Sequence, residues 1–182
     1  CPEAIIRHSF MLPWTDITAQ ISTSTGLPFA MEKAASIGGG CINEAHRIEG
    51  NGRQFFVKLN DADSLAMFEA EAAGLQEIYR SHTLRVPVPV CWGKNKSKAW
   101  LVLEYLEMGN VSSSGAAALG ARLAAMHRVP SEKFGWMRDN TIGATPQRND
   151  WTDDWAEFFA TRRLGVQLDL AERHGHGGRR VE

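Results

Sequence analysis

One lysine interrupts the apolar run Phe55-Phe56-Val57-Lys58-Leu59; three consecutive glycines, Gly38-Gly39-Gly40, come before it and two glutamates, Glu69 and Glu71, come after it. These residue types in this order suit the capture of nucleotide phosphates. Backbone N–H groups reach phosphate oxygens where glycine puts no Cβ in the way. A cation must then answer the phosphate charge, and a carboxylate must hold that cation in place. A glycine loop between strands, a lysine on the following strand and a glutamate on the next helix supply the three parts. Glu69 and Glu71 stand two apart and cannot share a helix face, so spacing does not choose between them. The run Trp100-Leu101-Val102-Leu103-Glu104-Tyr105-Leu106 follows and would offer backbone N–H and C=O groups to an adenine. Taken singly, each piece has a plainer explanation: glycines make turns, strand lysines snorkel, helix glutamates face water and apolar runs fill cores. The pattern Gly-x-Gly-x-x-Gly is not matched. The order of all four pieces together favours the phosphate reading.

The elements that would position these residues are legible from periodicity. Trp14, Ile17 and Ile21 mark a helix over 14–25, stopped by Gly26-Leu27-Pro28. Cys41 to Ile48 reads as a strand leaving the glycines, Gly50-Asn51-Gly52 as a hairpin turn and Gln54 to Leu59 as the next strand. Leu65, Phe68, Ala72, Leu75 and Tyr79 recur at helical spacing over 64–80, with Asp63 or Ser64 as cap. The prolines in Val86-Pro87-Val88-Pro89-Val90 impose an extended chain, and Ala99 to Leu106 reads as a buried strand. Gly109 to Ser114 is a small-residue linker. Beyond it, 116–127 and 151–174 have helical patterns, with an irregular stretch over 134–149. Trp151, Trp155, Phe158 and Phe159 fall at helical spacing and are expected in a core.

This order of elements defines an α+β chain: an antiparallel sheet with one helix, then a helix-rich half. Residues 1–11 are read as a non-native or disordered extension and 12–107 as the nucleotide-binding lobe. Residues 108–175 are read as an incomplete helical lobe and 176–182 as a tail. With 182 residues, 43% hydrophobic, 23% charged and a net charge of −1, the composition is that of an ordinary soluble globular protein. It gives no electrostatic reason to expect a nucleic acid or an anionic membrane as partner. No apolar run approaches the roughly 18 residues that span a bilayer, and the first dozen residues are too short and mixed for a signal peptide. Cys1, Cys41 and Cys91 have no metal-ligand spacing, and unpaired thiols in odd number fit a reducing compartment, read as the cytoplasm.

With these segments in hand the sequence resembles the fructosamine kinase (ketosamine 3-kinase) family, relatives of the aminoglycoside and choline kinases with a protein-kinase-like fold. The resemblance is carried by "GGGCINEA" at 38–45, "FFVK" at 55–58, "MFEAEAAGL" at 67–75, "VPVPVCWG" at 86–93, "LVLEYL" at 101–106 and "LGARLAAMHR" at 119–128. Its most specific part is the long stretch at 134–171 with Pro-Gln-x-Asn-x-Trp and Asp-Trp-x-x-Phe-Phe. The resemblance implies ATP-dependent phosphorylation of the 3-hydroxyl of ketosamines, free or protein-bound, and hence deglycation. By position, Gly38, Gly39, Gly40, Cys41, Asn43 and Lys58 would hold the nucleotide, with Glu71 as partner of Lys58. Glu104, Tyr105 and Leu106 would meet adenine, and Gln147, Asn149 and Trp151 would belong to the substrate side.

The family's His-Gly-Asp-Leu-Trp-x-x-Asn catalytic loop has no counterpart here: no His-Gly-Asp occurs, His127-Arg128-Val129 is not His-Arg-Asp, and Lys133-Phe134-Gly135 is not Asp-Phe-Gly. No catalytic residue and no metal ligand is therefore assigned, and the Mg²⁺ ligands are expected in a part this chain lacks. Phosphoryl transfer without them loses most of its charge stabilisation, so the expectation for this chain is little or no turnover. A non-catalytic nucleotide-binding or interaction fragment is the competing reading. A kinase of another hydroxylated amine, such as an aminoglycoside, is a third, opposed by the 134–171 stretch. Cys41 beside loop amides could form a redox-sensitive, disulfide-linked dimer, although a half-buried strand cysteine is the favoured alternative.

Overall fold

The computed structural model describes residues 12–38, 42–110 and 112–176. Two compact units divide the chain: one takes the chain up to Phe68 with Pro87–Glu107, the other takes Glu69–Val86 with the chain from Met108.

In the first unit, helix α1 (Trp14–Thr25) presents Ile17 and Ile21, one turn apart and both fully buried. Gly26 ends it in the left-handed conformation (φ 69°), as the Gly-Leu-Pro stop predicts. Strands β1 (Lys33–Ile37), β2 (Glu44–Gly50), β3 (Arg53–Asp61), β4 (Pro89–Lys94) and β5 (Lys98–Glu104) form an antiparallel sheet ordered β1-β2-β3-β5-β4. Asn51 and Gly52 take positive φ (49° and 68°), giving the tight Asn-Gly hairpin between β2 and β3. Residues alternate in burial along β3: Phe55, Val57 and Leu59 are buried, whereas Phe56, Lys58 and Asn60 are half-buried. The buried set joins Ile48, Val102 and Trp100 with Ile17 and Ile21 in one core, so α1 lies on that face of the sheet. Each such side chain contributes roughly 1.5–3 kcal/mol on leaving water. Gln20 fastens the helix: its Oε1 accepts from Trp100 Nε1 at 2.6 Å, and its Nε2 donates to the Trp92 carbonyl at 2.7 Å. Gly50 is required by close approach, because a Cβ there would stand 2.0 Å from the Ala30 carbonyl oxygen.

Helix α2 (Leu65–Arg80) follows a short 3-10 turn, within two residues of the range its apolar spacing predicts. In the second unit, α3 (Ser113–Met126) starts inside the stretch read as linker, because Ser112 caps it by accepting from the Gly115 N–H at 3.1 Å. The segment expected to be irregular contains a small hairpin, β6 (Asn140–Ile142) with β7 (Thr145–Gln147). The long helical pattern is also broken. Thr152 bridges to Phe134 in extended chain, so α4 (Trp155–Phe159) begins only where Asp154 caps it, accepting from the Ala156 and Glu157 N–H groups. A π-turn over Ala160–Leu164 then leads into α5 (Gly165–Arg173). The aromatic core expectation is met only by Phe158, which is 5% exposed. Trp151, Trp155 and Phe159 are 50%, 53% and 45% exposed. Trp155 gathers Phe134, Phe158 and Phe159 around its ring instead of being enclosed.

Candidate functional site

Lys58 stands in register with Ala45 on β2 and with Leu101 on β5. Directly opposed residues share a face, so Lys58 lies opposite the α1 core, with Ala35 and Ile37 of β1 continuing the same row beside Arg47 and Ala45. Apart from Arg47, which pairs with Glu49, the row is built of small or apolar side chains, with Lys58 its charged member beside the loop. Gly38 leaves β1 at the start of the glycine loop, and a Cβ added there would meet no atom within 4 Å. Gly39, Gly40 and Cys41, and with Cys41 its proposed disulfide, lie outside the described residues.

Asn43 closes the loop on the β2 side. Its Oδ1 accepts from Asn60 Nδ2 at 2.7 Å, and the same amide donates to the Ile42 carbonyl at 3.2 Å. At the far end of the sheet, β5 stops at Glu104, the residue paired with Phe55. Glu104 is tied twice to Val88: its N–H donates to the Val88 carbonyl at 2.9 Å, and its Oε2 accepts from the Val88 N–H at 3.3 Å. Tyr105 and Leu106 continue past the ladder. The Arg47 guanidinium sits 5.5 Å from the centre of the Tyr105 ring and pairs with Glu49 at 2.8 Å. Hydrogen bonding to Tyr105 first, then Glu49, hold the Arg47 pKa above its ordinary value.

The two glutamates of α2 part company. Glu69 Oε2 accepts from Arg138 Nη2 at 2.9 Å, and Glu77 Oε2 accepts from Trp136 Nε1, so the 136–138 segment lies along that side of the helix. Glu71, two positions from Glu69, lies on the opposite flank of the stripe formed by Phe68, Ala72 and Leu75.

Of the residues placed on the substrate side, Asn149 and Trp151 line one cleft of about 340 Å³, with Phe134, Trp136, Trp155 and Arg163 among its walls. Gln147 ends β7 opposite Asn140 and is not part of that lining. Asn149 is 2% exposed and its amide is fully engaged. It donates to the Arg138 carbonyl (3.0 Å) and to Asn140 Oδ1 (2.9 Å), and accepts from Arg163 Nη2. Arg163 also reaches the Arg148 carbonyl at 2.8 Å and lies 4.5 Å from the centre of the Phe158 ring. Burial holds its pKa below the ordinary value. Sequence periodicity missed Asn60, Arg138 and Arg163. The first sits in an ordinary strand pattern. Arg163 is aimed by a π-turn whose only trace is Gly165, where a Cβ would lie 2.7 Å from the Ala160 carbonyl oxygen.

Among the described residues no group of three His, Cys, Asp or Glu side chains could hold a metal ion. No helix among them is long and apolar enough to cross a membrane.

The sheet order, the lysine on β3, the helix that follows and the helical second unit define a protein-kinase-like fold. The crystal structure of a Haemophilus somnus protein assigned as a fructosamine-3-kinase superposes with a TM-score of 0.83 at 27% identity, over 89% of this chain and 55% of that one. Residues 13–181 match the fructosamine kinase family model, and the chain belongs to that family. A Synechocystis sp. protein named a probable ketoamine kinase is 48% identical over 88% of this chain and 55% of its own length. The chloroplastic protein-ribulosamine 3-kinase of Arabidopsis thaliana is 44% identical over 76% of this chain and 43% of its own. The chain thus spans about half the length of the curated relatives it matches.

Proposed function

We propose that this chain supplies the nucleotide-binding part of an ATP-dependent ketosamine 3-kinase, whose substrate is a fructosamine or ribulosamine, free or on a glycated protein. The observation that carries the reading is the place of Lys58: on the sheet face opposite the α1 core, in register with Ala45 and next to the strand that leaves the glycine loop. Lys58 answers the α- and β-phosphates, the glycine loop and Asn43 meet them with backbone and amide groups, and Glu71 pairs with Lys58. Glu69 is committed to Arg138. Glu104, Tyr105 and Leu106 present main-chain groups to the adenine. Trp151 and the cleft around it take the sugar, with Gln147 at its edge and Asn149 holding the wall. Three cysteines, an odd number without metal-ligand spacing, fit a reducing compartment such as the cytoplasm.

Binding of ATP to the purified chain, followed by calorimetry, tests the reading. Lys58→Ala and Glu71→Ala lower the affinity tenfold or more, and Glu69→Ala leaves it within about twofold. ATP affinity that ignores Lys58, or that depends on Glu69 rather than Glu71, refutes it. Transfer of phosphate to a ribulose-lysine adduct, read by mass spectrometry on the whole protein, tests the substrate class.

A further inference from the structure

The β2–β3 ladder ends at the pair Glu44 and Leu59. The next pair would be Asn43 and Asn60, and there side chains take over from backbone pairing. Asn60 Nδ2 donates to Asn43 Oδ1 at 2.7 Å and to the Ile42 carbonyl at 3.2 Å, and Asn60 Oδ1 accepts from the Asp61 N–H at 2.7 Å. Asn60 itself is fixed on its other side, because β3 still pairs it with Ala99 of β5. It shares a face with Lys58, two residues earlier on the same strand.

The opposite face of the sheet carries a second tie at the same level. Lys98 Nζ lies 3.5 Å from Glu44 Oε1 and 3.3 Å from Asp61 Oδ1. Burial lowers the Lys98 pKa, but Asp61 and Glu44 outweigh it and leave the pKa raised. Asp61 is largely exposed and Glu44 half so, which makes this ion-paired tie the weaker of the two. The exit of the glycine loop is thus held from both faces, and the hydrogen-bonded hold is on the face of Lys58.

We infer that Asn60 is a positioning residue for the nucleotide phosphates: by gripping Ile42 and Asn43 it fixes where the glycine loop rejoins the sheet relative to Lys58. The inference rests on the nucleotide reading above. A strand position facing this way needs no particular side chain for its backbone pairing; a short side chain with a two-proton donor is what the two contacts demand.

The test compares ATP with adenosine, which lacks the phosphates, as calorimetric ligands of the full chain. Asn60→Ala and the isosteric Asn60→Asp, which keeps the bond from the Asp61 N–H and loses both donated ones, each weaken ATP about tenfold while adenosine stays within twofold. In both variants amide exchange quickens at 42–45 and is unchanged at 98–104. The effect of Asn43→Ala on ATP is not additive with that of Asn60→Ala. Unchanged ATP affinity in both Asn60 variants, or equal losses for ATP and adenosine, overturns the role. A wild-type chain that binds neither ligand overturns the nucleotide reading itself, a result separable from loss confined to the variants.

Discussion

Replacing Asn149 with alanine separates a residue that touches substrate from one that holds the wall of a cleft. The side chain makes three hydrogen bonds in a place that is 2% exposed: two donated, to the Arg138 carbonyl and Asn140 Oδ1, and one accepted from the Arg163 guanidinium. Two neutral bonds at about 1 kcal/mol each and one to a charged donor at about 1.5–3 kcal/mol sum to about 3–5 kcal/mol for Asn149→Ala. That is a large loss for one substitution, because three groups are left without their partner inside the fold. Asn149→Asp keeps the bond from Arg163 as an ion pair but faces both the Arg138 carbonyl and Asn140 Oδ1 with an acceptor, and costs about 2–3 kcal/mol. Urea unfolding followed by tryptophan fluorescence reads the effect, since Trp136, Trp151 and Trp155 all line the cleft that Asn149 walls. Trp151→Ala, at a half-exposed position, shifts stability by no more than about 0.5 kcal/mol. An Asn149→Ala protein within about 0.5 kcal/mol of wild type refutes the reasoning and returns Asn149 to direct contact with substrate.

Three other perturbations follow from single environments. Burial, partly opposed by Glu44, holds the His46 pKa below 6.5, and its Nε2 is buried without a hydrogen-bond partner. The folded state therefore binds fewer protons than the unfolded chain, and stability present above pH 6.5 declines as pH falls from there toward the folded pKa. Chemical denaturation across pH 5–8 shows this slope, and His46→Phe flattens it. Burial pushes the Cys91 thiol up to about 12, with the Ser24 hydroxyl partly opposing; iodoacetamide at pH 8 leaves Cys91 unmodified in the folded protein and alkylates it in urea, as peptide mass spectrometry would show. Gly50→Ala places a methyl 2.0 Å from a backbone oxygen and lowers the first unit's stability by about 2–3 kcal/mol in the same urea experiment.

The sheet unit was readable from the sequence because its signals are local. Apolar alternation in β3, the Asn51-Gly52 turn and the Ile17–Ile21 spacing each fix an element within a few residues. The second unit was read less well, for physical reasons. Its helix boundary at 155 depends on the Asp154 cap and on the Thr152–Phe134 bridge, a pairing between distant residues that no window of sequence displays. Trp151, Trp155 and Phe159 have a core-like period, yet period reports which residues share a face and not whether anything covers it. The residues proposed for the nucleotide come from type and order in the sequence, whereas the contacts of Asn60 and Arg163 depend on geometry: one beyond the end of a ladder, the other from a π-turn.

The pair Glu69 and Glu71 would let one helix serve two tasks if Glu71 pairs with Lys58 as proposed. A spacing of two on α2 sends them to different sides, and the structure assigns one side to the second unit's own fold: Arg138 grips Glu69 and Trp136 grips Glu77. The same segment then carries Asp139, whose carboxylate accepts from the Asn149 N–H at 2.9 Å, and Asn140, which accepts from the Asn149 amide. Asn149, and through it the cleft wall, is therefore referenced to α2. The Glu69–Arg138 pair is about one-third exposed at both ends and contributes at most about 1 kcal/mol to stability. Its consequence is registry: the pair ties the 138–149 segment, and with it the cleft wall, to α2. A substitution at Arg138 should thus loosen the 138–149 segment in amide exchange far more than it lowers global stability, and equal protection of that segment in Arg138→Ala would show that α2 does not set the cleft.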